Sequence, residues 1–361
     1  MKCFQGIVIV FFLISMTLVC CGLKKEQSSG YFPDANWQVS TPEEQGIDSD
    51  QLAKVFDFVK ENDVNIHSLI LVRNGYLVLE AYFYPNSKGV VHDVASVTKS
   101  ITSILVGIAV DGGFIKNVQQ TVLDFFPDRK IADLDDRKKR LTIEHLLTMQ
   151  TGLCRNFEDG ERQLDAMRET NDWVQFMLDQ PMLTEPGTEF AYCTGGTQLL
   201  SAIITQATGM NELDFARKYL FEPLGIHEVI WPTDPQGNNT GGFDLHMHSL
   251  DMAKIGHLLL NNGIWNGRQI LFKKWIEQST KVQVTLDDGE RYGYLFWSPN
   301  ENPDLIEGRG RGGQRLVFSW QRDIILVFTG SGFDPGEIGA ILLPALRSNK
   351  PLPENPEGIK L

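Results

Sequence analysis

Apolar side chains recur along this chain with a period of two near both ends and with a helical period between them. Residues 48–59 place apolar side chains on one helical face, which predicts a helix. Two alternating segments follow at 68–72 and 76–84, and the Asn74-Gly75 pair between them is typical of a tight hairpin turn. The N-terminal part of the chain therefore predicts a helix followed by a β-hairpin.

The middle of the chain is mostly helical by pattern, from about residue 115 to about residue 235, although the mixed charges of 133–140 favour a solvated loop there. Helices are predicted over 143–149 with Thr142 as N-cap, over 198–207, near 251–260 and over 335–346, and strands over 314–320 and 324–329. An antiparallel sheet built from both chain ends, with an inserted mostly helical subdomain, is an α+β arrangement. We expect one composite domain rather than two.

Ser96 and Lys99 form the only Ser-x-x-Lys of the chain, and they stand at the start of a long apolar helix pattern. Apolar residues recur at helical spacing from Ile101, and Gly112-Gly113 marks the helix end. One helical turn places Ser96 and Lys99 on the same face. The free N–H groups of a helix start favour a serine alkoxide and the neutral amine of a lysine. This pattern predicts an activated serine nucleophile.

A serine and a lysine need a third group to carry the proton to the leaving atom, and they need donors for the oxyanion. Tyr192 lies in a predicted loop that continues through Thr194 and Gly195-Gly196 into the 198–207 helix. A tyrosine at such a junction could point into a cleft, although a half-buried structural tyrosine is the simpler interpretation of that residue alone.

A glycine-rich segment comes directly before the strand predicted from Gln314 onward. Glycines at a strand start let the backbone approach a ligand closely. Arg311 adds a fixed positive charge that suits a carboxylate or carbonyl oxygen, and Gly312-Gly313 follow it. Taken alone, the segment could equally be a flexible loop with solvated arginines.

The first residues indicate a targeting segment. Lys2 is followed by the nearly continuous apolar run 7–19, which is short for a membrane-spanning helix and fits the core of a signal peptide. Leu18 stands three residues before Cys21, as in a bacterial lipobox, although Cys20 is unusual at the cleavage position. We expect a signal peptide over 1–20 and lipidation at Cys21. Plain secretion and a retained anchor are the alternatives.

Composition narrows the function classes further. The net charge of −13 argues against a nucleic-acid partner. Outside the signal segment the cysteines are Cys21, Cys154 and Cys193, and an oxidising compartment would allow either a bridge between the last two or two buried thiols. The histidines around residues 246–251 lack the spacing of metal ligands. The sequence predicts neither a metal nor a cofactor.

The order of these motifs resembles that of class C serine β-lactamases and related penicillin-binding proteins. Three further stretches carry the likeness, namely His145–Leu153, Glu185–Thr188 and Glu222–Gly225. The resemblance covers roughly residues 45–347 and implies a β-lactamase/transpeptidase-like fold. It also implies that Ser96 is acylated, that Lys99 and Tyr192 move protons, and that the backbone N–H groups of Ser96 and Gln314 form the oxyanion hole.

Two departures from the family pattern bear on the substrate. Thr194 stands where Asn is usual, and Arg311-Gly312-Gly313 replaces a Lys or His followed by Thr or Ser and Gly. The usual side chains at these substrate-binding positions contact the amide and carboxylate of β-lactams. The resemblance therefore implies the esterase and amide-hydrolase branches of the family.

We predict a serine hydrolase that cleaves esters or amides through an acyl-enzyme, with small or peptide-like and even carboxylate-bearing substrates. The alternatives are a non-catalytic, lipid-anchored sensor of cell-wall peptides and a true β-lactamase or DD-peptidase. A Ser-His-Asp hydrolase would need a Gly-x-Ser-x-Gly motif, which the chain lacks. We expect a tether over 21–40, a catalytic domain over 41–348 with its helical insert at about 115–235, and a tail over 349–361. We expect the protein to lie in the cell envelope, attached to a bacterial membrane. The sequence gives no indication of the number of subunits.

Overall fold

The computed structural model of the protein describes residues 32–33, 36–356 and 358. The predicted signal peptide, Cys21 and most of the predicted tether lie outside the described residues. The described end of that tether packs on the domain, where Trp37 is buried and Val39 pairs with Leu77.

Within the described residues, twelve strands form one large sheet and two small ones. The strands are β1 Ile66–Arg73, β2 Tyr76–Tyr82, β3 His92–Asp93, β4 His246–Met247, β5 Ile264–Trp265, β6 Arg268–Gln269, β7 Val284–Thr285, β8 Arg291–Tyr292, β9 Trp297–Ser298, β10 Ile306–Gly310, β11 Gln314–Ser319 and β12 Ile324–Gly330. The large antiparallel sheet has the order β2-β1-β12-β11-β10-β9-β8-β7. The predicted α+β fold, with a sheet built from both chain ends, is confirmed.

Eleven α-helices lie in the same described part of the chain. They are α1 Ser49–Glu61, α2 Val97–Asp111, α3 Asp136–Lys139, α4 Ile143–Leu147, α5 Phe157–Arg168, α6 Trp173–Asp179, α7 Thr194–Thr208, α8 Glu212–Ala216, α9 Ser249–Leu260, α10 Lys273–Thr280 and α11 Pro335–Leu342. Helices α3 to α8 form the insert between α2 and β4. No helix of the described chain has the length and apolar character needed to cross a membrane.

The sheet is buried on both faces because its long strands carry apolar side chains at successive positions. Along β1, Leu69 and Leu71 belong to one core with α1 and α11, whereas Ile70 and Val72 belong to the other core with α2 and α9. Helix α2 is buried almost all round, as its continuous apolar sequence requires. The helix that begins at Ser96 is thus fixed between the sheet and the helical insert.

Three sequence-based expectations about loops were wrong. The charged segment 133–140 contains α3, and Lys138 is buried there because its ammonium group donates to the carbonyls of Ala132 and Leu178. The glycine-rich segment before Gln314 is half strand, since Ile306–Gly310 pairs with β11 as β10. Gly195-Gly196 lies inside α7, where position 195 requires glycine because a Cβ there would overlap the Met177 sulfur.

Candidate active site

Ser96 lies at the N-terminus of α2, just after a constrained turn. Ala95 has φ of 47°, a left-handed conformation that costs roughly 1–2 kcal/mol for a residue with a Cβ. The Asp93 carboxylate holds this turn by accepting the Ala95 N–H at 2.8 Å, and Val94 N–H donates to the Leu245 carbonyl. The first backbone N–H that donates a hydrogen bond at this helix start is that of Val97. Ser96 therefore precedes the regular helix and lies at the edge of a cavity.

Lys99 lies one turn further along α2, and its side chain is buried. Its Nζ donates to Ser96 Oγ at 3.1 Å and to the Gly242 carbonyl at 2.8 Å. Burial lowers the pKa of Lys99 to about 7, an effect that Glu161 opposes and Arg311 assists. A large fraction of Lys99 is therefore a neutral amine at neutral pH, in contact with the serine hydroxyl.

Tyr192 enters the same site from the residue before the N-cap of α7. Its ring packs beneath Lys99, whose Nζ lies 4.8 Å from the ring centroid. Burial raises the pKa of Tyr192 to about 12, and a hydrogen bond with Ser96 works against this rise. The phenol is thus protonated at neutral pH. The sequence-predicted Ser96, Lys99 and Tyr192 are brought together by the fold.

The glycine-rich segment closes the other side of the site. Arg311 extends to solvent with an 80% exposed side chain, and its guanidinium pairs with Glu161 at 2.8 Å. Gly312 and Gly313 have φ of 82° and 99°, so the turn between β10 and β11 requires glycine-like backbone. The Gln314 side chain is fixed by hydrogen bonds with the backbone of Gly330 at 2.7 and 3.0 Å.

A cavity of about 540 Å³ opens beside Ser96. The wall of this cavity contains several aromatic side chains, and the Tyr192 ring contacts two of them. The Tyr192 ring is 5.9 Å from that of Phe157 and 6.1 Å from that of Trp297, and Phe190 packs edge-on against Trp297. Such a wall suits an uncharged, apolar part of a substrate.

Only one of the predicted substrate-binding residues lines the described cavity. Arg311 lines the cavity, but Thr194, Gly312 and Gly313 are not among its lining residues in the described chain. Thr194 is buried as the first residue of α7.

Helix α5, which begins after its N-cap Asn156, lines the cavity with two further side chains, Phe157 and Glu161. No sequence motif had marked either residue as part of the site. The helical spacing of Phe157 and Glu161, one turn apart, is the only sequence signal that could have indicated a shared face.

A disulfide joins Cys154 to Cys193, with their Cα atoms 6.0 Å apart. Cys193 is the N-cap of α7 and directly follows Tyr192, and Cys154 directly precedes the turn into α5. Of the two alternatives left open by the sequence, the structure contains the bridge. It links the α5 wall of the cavity to the residue that follows Tyr192.

A model of the family described as Beta-lactamase matches residues 54–348 of this chain. The chain belongs to the beta-lactamase family. The match begins within α1 and extends past the end of α11, so it includes the whole sheet and the site around Ser96. The predicted family and its serine hydrolase class are confirmed.

Proteins similar to this chain include a hydrolase of 6-aminohexanoate dimers and a carboxylesterase. The chain is 23% identical over 324 residues to a 6-aminohexanoate-dimer hydrolase of Paenarthrobacter ureafaciens, covering 82% of this chain and 81% of that protein. A Bacillus anthracis structure described as a candidate 6-aminohexanoate-dimer hydrolase superposes with a TM-score of 0.73 at 20% identity, covering 90% and 91% of the two chains. A family VIII carboxylesterase gives a TM-score of 0.67 at 18% identity, covering 85% and 98%. The chain is therefore a serine hydrolase with the β-lactamase fold.

Proposed function

We propose that this protein hydrolyses carboxylic esters or amides through an acyl-enzyme formed on Ser96. The observation that supports this most is the 3.1 Å contact between Ser96 Oγ and the buried amine of Lys99. A nucleophile and a base within hydrogen-bonding distance are the minimum for covalent catalysis of this kind. The site's aromatic wall and the hydrolase relatives favour small or peptide-like organic substrates.

In acylation, Ser96 Oγ attacks the substrate carbonyl carbon and its proton passes to the neutral amine of Lys99. The resulting ammonium is stabilised by the Gly242 carbonyl and by the Tyr192 ring face. The backbone N–H groups of Ser96 and Gln314 are our candidates for donors to the oxyanion, as the family resemblance implies.

The leaving group then needs a proton, and the Tyr192 hydroxyl is suited to supply it. Its pKa of about 12 keeps it protonated, and it hydrogen-bonds with Ser96 at the reacting centre. The proton held by Lys99 restores the tyrosine. Water then attacks the acyl-enzyme, and the same groups act in reverse to free the acid and regenerate Ser96.

The decisive experiment is covalent labelling combined with turnover. Wild-type protein should bind a fluorophosphonate probe at Ser96 and hydrolyse 4-nitrophenyl butyrate. Ser96→Ala should lose the label and several powers of ten in turnover. Ser100→Ala is the matched control, because Ser100 lies on the same helix but its hydroxyl donates to the Leu295 carbonyl. Full turnover in Ser96→Ala would overturn the proposal.

The tyrosine makes a second, independent test of the same mechanism. Tyr192→Phe should slow esters with poor alkoxide leaving groups far more than 4-nitrophenyl esters, whose phenolate leaves without a proton. Tyr292→Phe is a nearby control, since Tyr292 is buried within the same aromatic group.

We also propose that the mature protein is exported and anchored through a lipid on Cys21. The spacing from Leu18 to Cys21 and the polar stretch that follows support this. Mass spectrometry of the native N-terminus tests it, and an unmodified N-terminus that begins elsewhere would refute it.

A further inference from the structure

The charged residues nearest the catalytic pair form a closed ion pair. Glu161 on α5 and Arg311 after β10 meet across the mouth of the cavity at 2.8 Å. Both charges act on Lys99 and Tyr192, since each of the two influences both pKa values. The positive charge that the sequence offered to a substrate carboxylate therefore already has a carboxylate of the protein as its partner.

A second arginine of the cavity wall, Arg309, also has acidic neighbours. The Arg309 guanidinium pairs with Glu290 at 2.9 Å and with Glu307 at 2.6 Å, and it lies over the Trp297 ring. Arg155 differs from these two, because its contact with Asp159 is a backbone N–H that donates to the carboxylate at 3.1 Å, while that carboxylate pairs with the Arg162 guanidinium at 2.9 Å. Within the described residues, the two wall arginines that come from β10 and the turn after it, Arg309 and Arg311, are thus both paired with carboxylates of the protein.

Glu161 is placed to do more than balance Arg311. Its side chain is 30% exposed and lines the cavity, so a substrate carboxylate that approached Arg311 would also approach Glu161. Like charges at short range repel, and this repulsion is stronger beside an apolar wall than in open water. The Arg311 side chain is mostly exposed to solvent, so pairing with Glu161 costs it little desolvation free energy.

We propose that Glu161 is a specificity-determining residue, which holds Arg311 in an ion pair and thereby restricts the site to substrates that are uncharged around the scissile bond. This inference rests on the proposed hydrolase function and defines its substrate class. The cavity accepts apolar or aromatic groups and discriminates against those that carry a carboxylate.

The test compares two ester substrates of similar size, neutral 4-nitrophenyl butyrate and the carboxylate-bearing mono-4-nitrophenyl succinate. The wild type should prefer the neutral ester. The measured quantity is the kcat/KM for the neutral ester divided by that for the carboxylate ester. Glu161→Gln should reduce this ratio about tenfold, because it removes a repelling charge and releases Arg311. Glu158→Gln is the matched control, since it removes an exposed carboxylate one turn away on the same helix. That control should leave the ratio within twofold.

One further variant and one change of salt concentration sharpen the result. Arg311→Gln should raise the ratio, because Glu161 then faces the substrate without its partner. The wild-type ratio should fall when NaCl is raised from 20 to 500 mM, since salt screens charges near the surface. A wild type that prefers the succinate ester, or a Glu161→Gln ratio unchanged within twofold, would overturn the inference.

The pH–rate profiles of variants at Glu161 and at Arg311 should shift in opposite directions. Lys99 faces Ser96 on its own helix, Tyr192 before α7, Glu161 on α5 and Arg311 after β10, with the uncharged Gly242 carbonyl opposite. Removing Glu161 should move the acidic limb of the pH–rate profile to lower pH, and removing Arg311 should move it to higher pH. A purely structural role for the ion pair would not produce shifts of opposite sign.

A binding measurement separates failure of this inference from failure of the proposed function. In the Ser96→Ala background, benzamide should bind more tightly than benzoate by calorimetry. Adding Glu161→Gln should reduce that preference about tenfold. If Ser96→Ala kept full turnover but these binding preferences held, the hydrolase mechanism would fail while the role of Glu161 stood. If the preferences did not change, the role of Glu161 would fail alone.

Discussion

The side-chain nitrogen of Lys99 lies over the ring of Tyr192, 4.8 Å from its centroid, while donating to Ser96 Oγ. The two side chains are perturbed in opposite directions by the same burial, which lowers the pKa of Lys99 to about 7 and raises that of Tyr192 to about 12. Burial disfavours the charged form of each side chain, so Lys99 becomes a base and Tyr192 stays an acid although the two are in contact.

A pH–rate profile follows from this separation. The kcat/KM for a neutral ester should rise as Lys99 loses its proton, with an apparent pKa near 7, and should show no descending limb below about pH 10. Lys99→Arg should lose on the order of a thousandfold, since a guanidinium does not act as a base. A bell-shaped profile centred below pH 6, or an active Lys99→Arg, would contradict the assignment of Lys99 as the base.

Substrate preference gives a second prediction. Thr194 offers no carboxamide and is buried, and Gly312 offers no hydroxyl. Two lost polar contacts of roughly 0.5–1.5 kcal/mol each imply about tenfold to hundredfold weaker recognition of β-lactams. The protein should therefore turn over 4-nitrophenyl butyrate with a higher kcat/KM than nitrocefin. The comparison needs Ser96→Ala as background, and a clear preference for nitrocefin would place the chain among the β-lactamases.

The Cys154–Cys193 bridge supports both stability and the position of Tyr192. It closes a loop whose ends are 39 residues apart, a length for which chain entropy suggests roughly 3–4 kcal/mol. Replacing both cysteines by serine should lower the free energy of unfolding by roughly 2–4 kcal/mol and reduce kcat more than it changes KM. Dithiothreitol should affect the wild type similarly and leave the double variant unchanged. An equal kcat in both proteins would limit the bridge to stability.

Glu212 makes the stability of the fold depend on pH. This carboxyl group on α8 is fully buried, and burial raises its pKa to about 7 against the opposing effect of the Ser201 and Thr102 hydroxyls. An unfolded glutamate titrates near pH ~4.3. The folded state therefore holds the proton more tightly, so the stabilisation is complete below about pH 4.3 and is lost as pH rises through about 7.

Glu212→Gln should accordingly stabilise the protein by about 1–3 kcal/mol at pH 8.5 and by less than about 1 kcal/mol at pH 4.5. Urea unfolding at both pH values measures the difference. Glu222→Gln changes an exposed carboxylate near the same helix and should show no such dependence. The prediction is wrong if Glu212→Gln and Glu222→Gln behave alike.

Local signals were enough to predict much of the fold. Thr142 was predicted as an N-cap, and its hydroxyl accepts the His145 N–H. The first helix was predicted to begin at residue 48, where the Asp48 side chain caps α1. Asn74-Gly75 forms the hairpin turn with both residues at positive φ. These features depend on neighbours within a few residues, so the sequence alone determines them.

Features that depend on distant neighbours were not accessible in this way. Strands β7 to β9 are two residues long and leave no periodic pattern. Gly195 is a helical glycine whose place in α7 depends on packing, because Met177 fills the space that a side chain would take. Glu161 meets Arg311 across 150 positions of sequence, and only the packing of α5 against the rest of the domain makes them partners.

The pairing of β1 with β12 also has a consequence in time. Ile66 lies opposite Gly330, so the two neighbouring strands are separated by most of the polypeptide. Contacts this remote in sequence form late, because the loop between them must first be closed. The sheet on which α2 packs is therefore incomplete until β12 has paired with β1. A chain that lacks this pairing has no working serine, so activity begins with one of the last contacts to form.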